Sequence, residues 1–182
     1  MNAPGRVLVA GLGSPHGDDQ AGWLVAENIA TQFRTHPRIV VRRAMIPLDV
    51  LDWLEGIDIL HVCDACDIFG DGNDRDGSEA ASRDRKLHRL TWDADQMMDS
   101  DNSGKAAVNA SLKSLRGRGS HDFGLPDVLR LAEKTGLLPK RVIIWAIEGS
   151  CFRPEDLMSN ETRETALQAV DELTTELSLS HA

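Results

Sequence analysis

Two adjacent carboxylates, Asp18 and Asp19, close the turn Gly11-Leu12-Gly13-Ser14-Pro15-His16-Gly17, which leaves the apolar run Val7-Leu8-Val9-Ala10. A glycine loop at a strand end ordinarily cradles phosphate on its backbone N–H groups. An acidic pair in that position would repel the anion. One carboxylate can cap the helix that follows, where the macrodipole favours negative charge. The second, side by side with the first, calls for a cation. The turn therefore has two readings, a helix cap or a cation site. Asp64 offers a further carboxylate where an apolar strand leaves its sheet, and Asp67 lies further into the same loop. His121, between Ser120 and Asp122, stands at a helix start. It is either a surface or capping residue or a ligand. Of the other histidines, only His16 falls in a candidate loop; His36 and His88 flank strands, His61 lies inside one and His181 is in the tail.

Competing chemistries fit less well. Cys63 and Cys66 form C-x-x-C, but Cys63 ends a strand instead of opening a helix, and Asp64 between the two disfavours a thiolate. Packing is the better reading for both. A dinucleotide fingerprint needs a third glycine where His16 stands, and Asp49 and Asp52 are poorly placed to accept a ribose hydroxyl. Neither a Gly-x-Ser-x-Gly elbow nor a His-Glu-x-x-His helix is present.

The elements that must position these groups alternate. Residues 6–10, 38–44, 57–63 and 142–147 read as strands. Helical spacing follows near Gln20 through Ala21, Leu24, Val25, Ile29 and Phe33. A short helix opens at Pro47 and ends at Gly56. Another carries Leu125, Val128, Leu129 and Ala132, with Pro126 in its first turn and Gly136 at its stop. The last begins near Ser159 or Asn160 and runs through Leu167, Val170, Leu173 and Leu177. This alternation predicts a three-layer αβα sandwich around a mainly parallel twisted sheet. Residues 87–92 are a candidate antiparallel edge strand. They lie within a polar stretch at about 70–119 that lacks periodicity and reads as a solvated insertion in a single α/β domain spanning 1–182. In such sheets sites form beyond the carboxyl ends of the strands. The acidic turn, the Asp64 stretch and the His121 turn all fall at or near that edge.

Bulk properties narrow the function classes. The 182 residues are 41% hydrophobic and 27% charged, the balance of a soluble globular chain. A net charge of −9 argues against nucleic-acid binding and for a cation or a basic partner. No stretch approaches the roughly 20 apolar residues of a membrane span, so no membrane insertion is expected. Met1-Asn2-Ala3-Pro4-Gly5-Arg6 lacks the pattern of a secretory leader, and three cysteines are too few for a disulfide framework; both predict a cytoplasmic protein.

Three stretches in order resemble the hydrogenase maturation endopeptidases, which trim the large subunit of nickel–iron hydrogenases. "VLVAGLGSPHGDDQAGWLVAENI" is similar to that family's strand, glycine turn, acidic pair and helix. "ILHVCDACD" is similar to its strand ending in Asp-Ala, and "GSHDFGLPDVLRLAEKTGLLPKRVIIWAIEG" to its His, Gly-Leu, helix and strand. The resemblance covers most of the chain outside the insertion. It implies that Asp19, Asp64 and His121 ligate nickel and act in catalysis through it, with Asp18 as a supporting neighbour. It also implies a nickel-loaded hydrogenase large-subunit precursor as substrate, the nickel being supplied by or shared with that substrate. Two oxygen donors and one imidazole suit nickel, which binds such sites more tightly than iron or cobalt. The chain departs from the family pattern at Ser14, where Asn is usual, in a turn one residue shorter, in a longer insertion, and in Met45-Ile46-Pro47-Leu48-Asp49 where a glycine-rich stretch is common. Two other readings stand beside this one: a non-catalytic nickel-recognising maturation partner, and a nucleotide-binding α/β protein.

Overall fold

The computed structural model describes residues 5–66, 86–92 and 124–180. Among these residues, five strands form one sheet in the order β2-β1-β3-β5-β4. They are β1 (Val7–Leu12), β2 (Ile39–Ala44), β3 (Ile59–Cys66), β4 (Leu87–Thr91) and β5 (Arg141–Glu148). The first three and β5 run parallel, and β4 is antiparallel to β5 at the edge. Valine and isoleucine dominate the strands because branched side chains fit a pleated surface buried on both sides. Among the described residues, helices α1 (Ala21–Gln32), α2 (Leu125–Lys134) and α3 (Asn160–Ser180) accompany the sheet, with two 3-10 segments, Gly17–Gln20 and Pro47–Trp53.

The sheet divides the core in two, as the two-residue repeat of a strand requires. Even-numbered Leu8, Ala10, Leu60, Val62, Val142, Ile144 and Ala146 face Val50 of the second 3-10 segment, Leu54 just after it, and Leu125 and Leu129 of α2. Odd-numbered Val7, Val9, Cys63, Ile143, Trp145 and Ile147 face α1 and α3. The expected αβα layering and antiparallel edge strand are thus both present.

Helix ends follow local chemistry. At the end of α2, Gly136 takes a φ of 71°, its N–H bonds Glu133 O at 3.0 Å, and Leu137 N–H bonds Ala132 O at 2.8 Å. This is the double closure for which a left-handed glycine is suited. Ser159 precedes α3 and its Oγ accepts Thr162 N–H at 3.2 Å, satisfying an otherwise orphaned donor.

The strand end that matters most for the site lies beyond the sequence expectation. β3 continues past Cys63, because Asp64, Ala65 and Cys66 stay in register with Ala146, Ile147 and Glu148 of β5. Asp64 is therefore a strand residue, held by sheet pairing and not by a loop. His88 likewise lies inside β4 instead of flanking it. Asp67, His121 and all of the 70–119 stretch except 86–92 lie outside the described residues.

Candidate active site

The first turn of α1 lies directly on the strand ends. A Cβ at Gly22 would come within 2.1 Å of Leu12 O and 2.3 Å of Cys63 O, so only glycine permits this approach. The contact brings the chain just before Gly22 beside the chain just after Cys63. Asp19 and Asp64 are thereby placed together at the carboxyl edge of the sheet, and the charge of Asp19 acts on Asp64.

Asp64 sits in a dense surround with only part of its surface open to solvent. Burial first, and the Asp19 charge second, raise its carboxyl well above the ordinary 3.8, against a smaller downward pull from the Ala65 N–H. No lysine or arginine pairs with Asp19 or Asp64 among the described residues. A divalent cation between them would relieve both the repulsion and the desolvation, so the donor chemistry fits a metal. Two carboxylates do not complete a ligand set, and among the described residues no group of three His, Cys, Asp or Glu side chains is arranged to hold an ion. The third expected ligand, His121, lies outside the described residues, three positions before Gly124, from which α2 starts.

Asp18 has a different role from its neighbour. Its side chain is fully buried. Oδ2 accepts N–H groups from Ser150 at 2.8 Å and Cys151 at 3.0 Å, and Oδ1 accepts that of Ser159 at 2.7 Å. Burial pushes the carboxyl up, but these backbone donors outweigh it and hold it below the ordinary aspartate value. The exchange is mutual, since Asp18 N–H bonds Cys151 O at 2.7 Å and Gly17 N–H bonds Asp156 O at 2.9 Å. Gly17 makes this possible with a φ of 51°; a Cβ there would lie 2.2 Å from Cys151 O. Asp18 thus fastens the 3-10 turn carrying Asp19 to the loop between β5 and α3. A carboxylate so enclosed is an anchor, not a base. Sequence reasoning could anticipate a supporting role, but its partners are backbone groups some 130 residues away that carry no residue-type signal.

The remaining candidates separate. His16 is half-buried and its carbonyl accepts Asp19 N–H at 3.1 Å. Cys63 packs with the α1–α3 core and Cys66 with the α2 core, so the C-x-x-C pair points to opposite faces of β3 and makes no dithiol. Burial, with Asp64 adding to it, drives the Cys63 thiol far above its usual range. His61 is buried, accepts Trp145 Nε1–H at Nδ1 at 3.1 Å, and is depressed to about 4, chiefly by burial; it is a neutral core residue. A pair the sequence did not single out lies on the face of the sheet that Asp64 occupies: His88 Nε2 contacts Glu148 Oε1 at 2.7 Å.

Solved structures share this arrangement of elements. The hydrogenase maturating endopeptidase HybD from E. coli matches with a TM-score of 0.62 at 17% identity, over 96% of this chain and 93% of that one. The chain has the fold of the hydrogenase maturation endopeptidases. The maturation protease HycI from Thermococcus kodakarensis KOD1 matches with a TM-score of 0.60 at 17% identity, over 95% of this chain and 92% of that one. The hydrogenase 2 maturation peptidase from Thaumarchaeota archaeon SCGC_AB-539-E09 matches at 0.55 and 19%, over 96% and 99%. No family model matches the chain, and no curated protein matches it by sequence. In the endopeptidase fold seen here, the carboxyl edge of the sheet carries Asp19 and Asp64.

Proposed function

We propose that this chain is a nickel-dependent endopeptidase, acting in the cytoplasm, that removes a C-terminal extension from the large-subunit precursor of a nickel–iron hydrogenase after nickel insertion. The observation that carries the reading is the juxtaposition of Asp19 and Asp64. A half-buried carboxylate and a second carboxylate, with no basic partner among the described residues, meet at the edge where α/β sheets bind ligands. The likeness in fold to maturation proteases from bacteria and archaea supports it. Asp19, Asp64 and His121 would hold the nickel of the incoming precursor, and the metal would supply Lewis-acid polarisation of the scissile carbonyl. A site of two carboxylates and one imidazole is open enough to take an ion already held by its substrate and then release it. The chain's own −9 charge favours approach of a cationic centre.

The test incubates the protein with a hydrogenase large-subunit precursor, loaded with nickel or free of it, and measures the subunit's mass. Loss of a C-terminal peptide from the loaded precursor alone is expected. Asp19→Ala, Asp64→Ala and His121→Ala should each abolish trimming while remaining folded. An unchanged mass with tight binding of the loaded precursor would point to a non-catalytic maturation partner instead. Normal trimming by all three variants would remove the site assignment.

A further inference from the structure

The turn that carries Asp19 is bracketed by two other segments. Near its start, Gly13 N–H bonds Ala44 O at 3.2 Å; near its end, Gly17 N–H bonds Asp156 O at 2.9 Å. The residue after each of these acceptors has a large apolar side chain turned to solvent. Met45 is 66% exposed, with Ile46 beside it at 52%, and Leu157 is 87% exposed. Met45 follows β2, and Leu157 lies in the loop after β5. In the order of the sheet they flank the ends of β1 and β3, where Asp19 and Asp64 stand.

A single exposed leucine on a protein surface is ordinary. These side chains are distinguished by how firmly their backbone is held. Leu157 sits between two anchors, the Asp156 carbonyl on Gly17 and the Ser159 N–H, which bonds Asp18 Oδ1 at 2.7 Å. Its neighbour Met158 packs against the α1–α3 core. Glu155, two residues earlier, has a φ of 69°, the one left-handed non-glycine backbone among the described residues. Such outliers persist only where the surroundings impose them. On the other side, Asp49 Oδ2 accepts the N–H groups of Met45 and Ile46 at 3.3 and 3.4 Å. Trp23 Nε1–H adds a bond to Ala44 O at 2.9 Å. Apolar side chains carried outward on fixed backbone bind a partner with little loss of loop entropy.

We infer that Leu157 on one side, and Met45 with Ile46 on the other, dock apolar side chains of the precursor protein around the bond to be cut. The inference rests on the endopeptidase reading above and adds the residues that recognise its substrate. A protein that brings its metal to Asp19 and Asp64 lies over the segments bonded to the Asp19 turn. There it buries apolar surface, a source of affinity that the two carboxylates do not offer. A second copy of this chain is the poorer occupant, because two copies each carrying a net charge of −9 repel. Contacts remote from the reacting atoms are the same in the ground and transition states, so they act on KM and not on kcat.

Steady-state trimming of the nickel-loaded precursor by the full-length chain, followed by mass, tests the docking. Leu157→Ser should raise KM about tenfold or more, as should the double substitution Met45→Ser with Ile46→Ser, each with kcat within about twofold of wild type. Leu157→Met should keep KM near the wild-type value. Leu179→Ser removes another exposed leucine, at the C-terminal end of α3, and should leave KM unchanged. A KM within about twofold of wild type for both serine variants would overturn the docking and leave the endopeptidase standing. An equal rise from Leu179→Ser would also refute it, as a general effect of surface hydrophobicity. Sedimentation that shows a wild-type dimer separated by Leu157→Ser would assign the surface to a second copy and refute the inference. Failure of the unmodified chain to trim the precursor at all would overturn both readings.

Discussion

Asp18 and Asp19 are neighbours in the chain, yet one closes on three backbone N–H groups and the other meets a second carboxylate. The difference predicts opposite effects of neutralising carboxylates at this edge. For Asp64, burial and Asp19 raise the folded-state value above 3.8, so its ionisation opposes folding as pH rises past that point. Asp64→Asn should therefore melt at the same temperature or higher than wild type in metal-free buffer near neutral pH. It should also lose the melting shift that nickel gives wild type, about 2.7 kcal/mol at a hundredfold excess over the dissociation constant. A variant that melts lower without metal and still gains stability from nickel would contradict this. For Asp18 the folded-state value is depressed, so its contribution is complete above 3.8 and is lost as pH falls through the lower folded value. Asp18→Asn should lose about 1.5–3 kcal/mol near neutral pH, the contribution of one hydrogen bond to a charged acceptor. Denaturant titrations should show the gap to wild type closing below pH 3.8. A gap that does not change with pH would show that the Asp18 charge does not hold the loop. At this scale the sequence displayed the residue types but not their partners. The Asp18-Asp19 pair shows two acids, and only the returning loop at 149–159 distinguishes the buried anchor from the carboxylate that faces Asp64.

At the scale of elements, α1 positions the site by its closeness to the strands. Gly22→Ala would put a methyl group into two carbonyl oxygens. It should destabilise the fold by about 1–3 kcal/mol or more, as over-packing does, and lower nickel affinity along with stability because the turn bearing Asp19 must shift. Chemical denaturation and nickel titration of the same preparation check both; a variant with wild-type stability would mean that α1 does not fix the turn. The elements themselves were largely legible. Alternating β-branched runs marked β1, β2 and β5, and Pro126 and Gly136 marked the ends of α2 through fixed φ and a left-handed closure. What escaped was the length of β3. Asp64 looks like a loop-opening residue by type, and only pairing with the longer β5 keeps it in the sheet. The short β4 was legible as an edge, but not the register that aligns its His88 with Ala146 and Asp64, because register across three strands is a tertiary property.

For the whole molecule, a mostly parallel sheet with helices on both faces gathers the ends of β1, β3 and β5 at one edge. Order and spacing of the motifs point to the same convergence, because the alternation of strand and helix allows few topologies. Among the described residues no helix is long and apolar enough to cross a membrane. The central claim is that Asp19, Asp64 and His121 share one nickel ion. The measurement that tests it most directly is an anomalous-difference map, recorded at the nickel absorption edge, from crystals of the nickel-loaded protein. The account predicts a single peak with an Oδ atom of Asp19, an Oδ atom of Asp64 and a ring nitrogen of His121 at coordination distance, about 2 Å. A peak elsewhere, or one that either aspartate or the histidine does not reach, would contradict it.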